Sequence, residues 1–217
     1  MVKPALKFFL CGFRNLSLAR QSTGGEMLNL IRMGRRYWHA IRMVNQEVVL
    51  KGRDVVEAYY HDDLTGLLND RTIADLGERA LRDAMRKEDY LSVVYIDINN
   101  FKRFNDELGH SMGDQVLAHF GTKILESLTR PWDLAGRIGG DEFLLVLPDT
   151  QYVQAKVVVA RLRRAIKYPF CAGIYSELLQ NVGRGSKTPL TLDAFKMQAE
   201  GEMYKEKEQR DAHRVTA

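Results

Sequence analysis

A chain of 217 residues is long enough for one substantial domain with an appendage, and too short for two full-sized domains joined by a linker. Hydrophobic residues make up 45% and charged residues 28%, a balance that excludes a disordered chain. The 32 basic residues set against 28 acidic ones leave +4, an excess that suits an anionic small ligand and gives no argument for a nucleic-acid partner. No uncharged apolar run approaches the roughly 18 residues of a membrane span. Phe8-Phe9-Leu10-Cys11-Gly12-Phe13 is bounded by Lys7 and Arg14 and lacks a small-residue cleavage site, so no secretory signal is read there. Cys11 and Cys171 stand far apart without metal-ligand spacing, and a cytoplasmic location without a membrane span is the expectation.

In chain order, residues 1–25 read as a separate arm containing Ser22-Thr23-Gly24-Gly25. Pro4 and Pro131 enclose a long proline-free stretch that permits a helical lead. Over about residues 26–60, Ile31, Trp38, Ile41, Val48, Val55 and Tyr59 recur at helical spacing, and intervals of three and four give a heptad-like seam. Gly34 and Gly52 on that seam weaken it, each by about 1 kcal/mol relative to alanine. Two readings stay open: a stalk that pairs two chains, or a helix packed on its own domain.

Beyond that helix, elements of the two types alternate. Leu91 to Ile96 is a strand-type run ending in Asp97; a helix follows over about Gly113 to Thr129, burying Val116, Leu117, Phe120, Ile124, Leu125 and Leu128. Leu134 to Ile138 and Phe143 to Leu147 are strands separated by Gly139-Gly140-Asp141-Glu142, a hairpin signal. A helix from about Tyr152 to Ile166, a strand from Phe170 to Tyr175 and a helix from Leu192 to Lys207 complete the order β-α-β-β-α-β-α. This predicts an α+β domain over residues 61–212, a ferredoxin-like or palm-type antiparallel sheet with its helices on one face, preceded by the helical stalk.

In such a sheet the second hairpin strand runs antiparallel beside the first strand. Asp97 and Asp141 are thereby brought to one edge. An aspartate directly after Val93-Val94-Tyr95-Ile96 is costly in an apolar setting unless its charge is compensated. Asp141-Glu142 on a glycine turn aimed at the same point makes a cation the natural compensation, and oxygen-only ligands suit Mg²⁺ with phosphate oxygens and water. Taken singly, Asp97 reads equally as a helix cap and Asp141-Glu142 as solvated turn residues. Gly139-Gly140 predicts a tight turn that a phosphate or base can approach without a Cβ in the way.

At these residues the sequence resembles the GGDEF family of diguanylate cyclases, whose signature is Gly139-Gly140-Asp141-Glu142-Phe143. Four further segments match in order: Asp62-Asp63-Leu64-Thr65-Gly66-Leu67-Leu68-Asn69; Asp97-Ile98-Asn99-Asn100-Phe101-Lys102; Asn105-Asp106; and Gly109-His110-Ser111-Met112-Gly113-Asp114. The resemblance implies a cytoplasmic signalling homodimer that condenses two GTP into cyclic di-GMP and two pyrophosphates. Asp97, the Ile98 carbonyl and Asp141 would hold two Mg²⁺ ions, with Mn²⁺ an alternative. Asn105 and Asp114 would bind guanine, His110 would line the substrate site, Lys102 would stabilise triphosphate charge, and Asp141 or Glu142 would help deprotonate the attacking 3′-hydroxyl. Asp114 keeps the carboxylate that favours guanine over adenine. Arg130-Pro131-Trp132-Asp133 resembles the family's product-inhibition motif, with Arg130 and Asp133 gripping cyclic di-GMP.

The match departs from the family pattern in three places. The run from Ala165 to Phe170 is short, so one sheet edge reads as trimmed. Lys207 keeps the phosphate-binding lysine of the closing helix, but Asp211 stands four residues on and the arginine is Arg210. Asp70 stands where the opening motif usually has arginine. A competing reading is a weak or inactive cyclase that serves as a cyclic di-GMP receptor through Arg130 and Asp133.

Overall fold

The computed structural model describes residues 59–180 and 190–215. The expected arm and nearly all of the stalk lie outside them. Ten elements follow in order: β1 (Leu68–Asn69), α1 (Asp70–Lys87), β2 (Tyr90–Ile98), α2 (Phe101–Leu108), α3 (His110–Ser127), β3 (Leu134–Arg137), β4 (Glu142–Pro148), α4 (Tyr152–Ala165), β5 (Phe170–Leu178) and α5 (Leu192–Val215). The strands form one sheet in the order β1-β3-β4-β2-β5.

The central strand explains why the sheet assembles this way. β2 reads Tyr-Leu-Ser-Val-Val-Tyr-Ile-Asp-Ile, and Leu91 through Ile96 are all buried, as a strand covered on both faces requires. It pairs antiparallel with β4 on one side and β5 on the other. The arrangement of β2 to β5 is the expected one, with two corrections. The two-residue β1 adds to β3 in parallel, so the sheet is mixed. The helices also cover both faces rather than one.

Glycines and aromatic rings identify the faces. A Cβ on Gly136 would strike Ile73 of α1, and one on Gly173 would lie 1.8 Å from the Ala199 carbonyl of α5. Gly136 pairs with Leu144, Leu144 with Tyr95, and Tyr95 with Gly173, so α1 and α5 pack on the same face. On the other face Phe120 of α3 stacks on Phe143 at 5.0 Å and meets Phe170 edge-on at 5.4 Å. α4 packs beside α3 there and sends Arg163 round the β5 edge to Glu206 of α5.

Local chemistry sets the element ends. Asn69 caps α1 by accepting from the Thr72 amide at 2.9 Å, and Glu88 closes it in the left-handed region at φ 54°. Gly109, at φ 85°, makes the corner between α2 and α3, where a side chain would be strained. The Leu192 amide donates to Glu78 of α1 at 2.6 Å, tying the start of α5 to α1.

Candidate active site

The site grows from the end of β2 and the β3–β4 turn. Asp97 pairs in register with Glu142, and the Ile98 amide donates to the Asp141 carbonyl at 3.2 Å. Asp97, Ile98, Asp141 and Glu142 are thus brought together, and side chains 97 and 142 share a face. Burial raises the Asp141 pKa, with the negative charge of Asp97 adding to it. Two carboxylates held close in a partly desolvated place repel each other, and a bound cation would relieve both costs. Among the described residues no three acid, histidine or cysteine side chains close on one point. Two carboxylates and a backbone carbonyl are a donor set that would suit Mg²⁺ only with phosphate and water completing it.

The two turn glycines have different surroundings. Neither Gly139 nor Gly140 takes a positive φ. Gly139 instead makes room: a Cβ there would sit 2.2 Å from Glu142 Oε2, whereas Gly140 has open space on that side. The turn is clamped from outside by Arg137, which sequence reasoning missed. Its guanidinium donates to the Gly139 and Gly140 carbonyls, the Gly140 contact as short as 2.6 Å, and pairs with Asp62 at 3.2 Å. Asp62 in turn accepts from the Thr65 amide and hydroxyl at 2.8 and 2.6 Å. Burial pushes the Asp62 carboxyl up, but the Thr65 bonds and Arg137 outweigh it and hold the pKa below 3.8. An arginine two residues before a Gly-Gly turn was the available signal.

Tyr95 was also missed. Its hydroxyl donates to Glu142 Oε1 at 2.7 Å, and burial followed by that carboxylate pushes the phenol pKa far above its ordinary value, so the group stays a donor.

The remaining expected residues surround this centre. Lys207 of α5 pairs with Asp97 Oδ1 at 2.8 Å; burial opposes its charge, but the Asp97 bond raises its pKa. One turn on, Arg210 lies against the buried Cys171 thiol, the register partner of Asp97. Burial raises the pKa of that thiol, with Arg210 pulling it down. Arg210 Nη2 pairs with Asp211 at 3.3 Å, and its Nε and Nη1 are buried on the side of that thiol. Asn105 of α2 packs on α3 where a Gly113 Cβ would lie 1.9 Å from its Oδ1. That Oδ1 is buried and unbonded. Asp114, His110 and Lys102 are exposed, the first two on α3 and the third in the first turn of α2.

Arg130 and Asp133 lie elsewhere, at the open end of the β3–β4 hairpin. Asp133 is 5% exposed and accepts from Arg130 Nε at 3.1 Å. Arg130 Nη1 donates to the Asp149 carbonyl at 2.8 Å, Nη2 donates to the Thr150 hydroxyl, and the guanidinium lies 5.8 Å from the Trp132 ring centre.

This geometry can be set beside known proteins. The family model for the diguanylate cyclase GGDEF domain matches residues 59–212. The chain belongs to the GGDEF domain family. It is 44% identical over 88 residues to the diguanylate cyclase TpbB of Pseudomonas aeruginosa, covering 41% of this chain and 20% of that one. It is 37% identical over 119 residues to the response regulator PleD of Caulobacter vibrioides, covering 54% and 26%. The match thus spans about a quarter or less of each relative's length. The solved GGDEF domain of the Pseudomonas TpbB superposes with a TM-score of 0.58 at 32% identity, covering 69% of this chain and 89% of that domain. No described helix is long and apolar enough to cross a membrane.

Proposed function

We propose that this GGDEF chain is a diguanylate cyclase, which joins two GTP into cyclic di-GMP and releases two pyrophosphates. The observation that carries the reading is the convergence of Asp97 and Asp141, with burial and mutual repulsion raising the Asp141 pKa. Such an arrangement is costly for the free protein and useful to one that binds a magnesium nucleotide. Family membership and likeness to named diguanylate cyclases support the same choice.

Asp97, Asp141 and the Ile98 carbonyl would hold two Mg²⁺ ions, for which Mn²⁺ can substitute. When bound, these ions supply charge neutralisation on the α-phosphate and the leaving pyrophosphate. The chain's own groups do the rest. Asn105 and Asp114 accept from the guanine edge, and the unbonded Asn105 Oδ1 is the acceptor this needs. Lys207 and Arg210 supply phosphate contacts. In this reading Arg210 takes the place of the arginine missing four residues after Lys207. Lys102, exposed in α2, adds charge on the triphosphate side, and His110 borders the entrance. Asp141 or Glu142 takes the proton of the attacking 3′-hydroxyl.

Each site holds one GTP, so two copies must face each other, and residues 26–60 are the pairing device in this reading. Arg130 and Asp133 serve as the site for product inhibition. Purified chain incubated with GTP and Mg²⁺ is expected to yield cyclic di-GMP and pyrophosphate by chromatography, and Asp141→Ala is expected to yield neither. Absence of product from a folded dimer stripped of bound cyclic di-GMP would move the reading to a receptor.

A further inference from the structure

We infer that Tyr95 is a positioning residue for Glu142, fixing the signature glutamate for the reaction. The inference rests on the cyclase reading for its kinetic consequence, but the contact itself rests on geometry. Tyr95 and Asp97 stand two apart on β2 and share a face. Asp97 lies opposite Glu142 and Tyr95 opposite Leu144, so the phenol is the diagonal neighbour of Glu142, within reach of a long aromatic side chain.

Both oxygens of Glu142 are accounted for. Oε1 accepts from the Tyr95 hydroxyl at 2.7 Å, and Oε2 lies in the space that a side chain on Gly139 would fill. A glutamate at the start of a strand otherwise has three free torsions, and ordering them costs free energy that must be supplied before reaction. Here a buried donor fixes one oxygen, and the bare backbone of Gly139 gives the other its place. Tyr95 is 3% exposed, so its ring serves the core. A phenylalanine would fill that core equally well; the hydroxyl is what Glu142 explains.

The test uses the full chain and the variant Tyr95→Phe, which keeps the ring. The expected result is a fall in kcat of about tenfold with KM for GTP within about twofold, because the substrate contacts are untouched. The double variant with Glu142→Gln should be no slower than Glu142→Gln alone, since the hydroxyl acts only through that carboxylate. Gly139→Ala, which presses on Oε2 from the other side, should show the same coupling and covers the case in which Tyr95→Phe fails to fold.

A second readout is independent of turnover. In protein labelled with ¹³C in the glutamate carboxyl, the Glu142 signal is assigned by its loss in Glu142→Gln. It should shift in Tyr95→Phe while the other glutamates stay in place. A kcat within twofold of the parent, losses that multiply in the double variant, or an unmoved Glu142 signal would each overturn the inference. A parent that makes no product while the Glu142 signal still shifts overturns the cyclase reading and leaves the Tyr95 contact standing.

Discussion

The two ends of the β3–β4 hairpin have opposite chemistry, although four-residue β3 separates them by only about 14 Å. At the turn end, Asp97 and Asp141 repel each other, with Lys207 pairing with Asp97 at 2.8 Å. At the open end, Arg130 reaches Asp133, the Asp149 carbonyl and the Thr150 hydroxyl, with Trp132 alongside. One end holds like charges together. The other is already complete, so a ligand there has to compete with bonds that hold the loop.

The sharpest way to break this contrast is to remove the charge conflict. Asp141→Ala should reduce product formation by roughly 10³-fold or more, as loss of a transition-state contact at a buried centre does. It should also leave the protein as stable as the parent or more so. The sign follows from the raised pKa: the folded state holds its proton to higher pH than the unfolded one, so ionised Asp141 opposes folding above that raised pKa. Activity lost with unchanged or increased Tm, read by thermal denaturation at pH 7, supports the view that the turn end is strained for function. A large fall in Tm would show instead that Asp141 holds the fold.

Gly173→Ala tests how closely α5 must approach. Its new Cβ would lie 1.8 Å from the Ala199 carbonyl, which is backbone and cannot rotate away. The helix must shift, at a cost of about 1–3 kcal/mol, and it carries Lys207 and Arg210 with it. KM for GTP should rise severalfold as well. A loss of stability with KM unchanged would mean that neither side chain touches the nucleotide.

At the open end the expected effect is one of stability. Asp133→Ala removes the acceptor of Arg130 from a nearly buried position and should cost about 2 kcal/mol in urea denaturation. The same variant should abolish inhibition by added cyclic di-GMP. Inhibition that survives would detach that site from product control while leaving the contrast in hydrogen bonding intact.

Much of this arrangement was legible in the sequence because strand parity is unforgiving. Once Leu91 to Ile96 and Phe143 to Leu147 are read as antiparallel neighbours, Asp97 and the Asp141-Glu142 turn must meet. What could not be read falls into three physical kinds. β1 has two residues and therefore no period, and its parallel pairing depends on where Asp62 to Leu67 lead it. α1 is charged along most of its length, and its buried stripe of Ile73, Leu76, Leu81 and Ala84 is interrupted by Gly77, which lies against Leu192. Tyr95 and Arg137 act through side chains that cross between strands or loops, and nothing in local spacing reports which polar atom a buried tyrosine or a surface arginine will find.

The smallest expected effect concerns the clamp that joins the two regimes. Asp62 and Arg137 form a satisfied pair like that of the open end, yet they hold the turn of the strained end through the Gly139 and Gly140 carbonyls. The Asp62 pKa lies below its ordinary value of 3.8, held down by the Thr65 bonds first and by Arg137 second, so the contribution of these contacts is fully present above that pH and is lost as the pH falls through the depressed folded value. Both side chains are partly exposed, so the contribution is modest, about 1 kcal/mol after solvent screening. Asp62→Asn should therefore lose about that much stability at pH 7 and almost nothing once the pH is below the depressed folded value, where the parent carboxyl is protonated as well. Denaturant titrations of both proteins across that range read the difference directly. Curves that stay parallel down to acid pH would show that the Asp62 charge contributes through neither Thr65 nor Arg137. The turn would then be held by Arg137 and its own hydrogen bonds, without help from the loop that leads into the sheet.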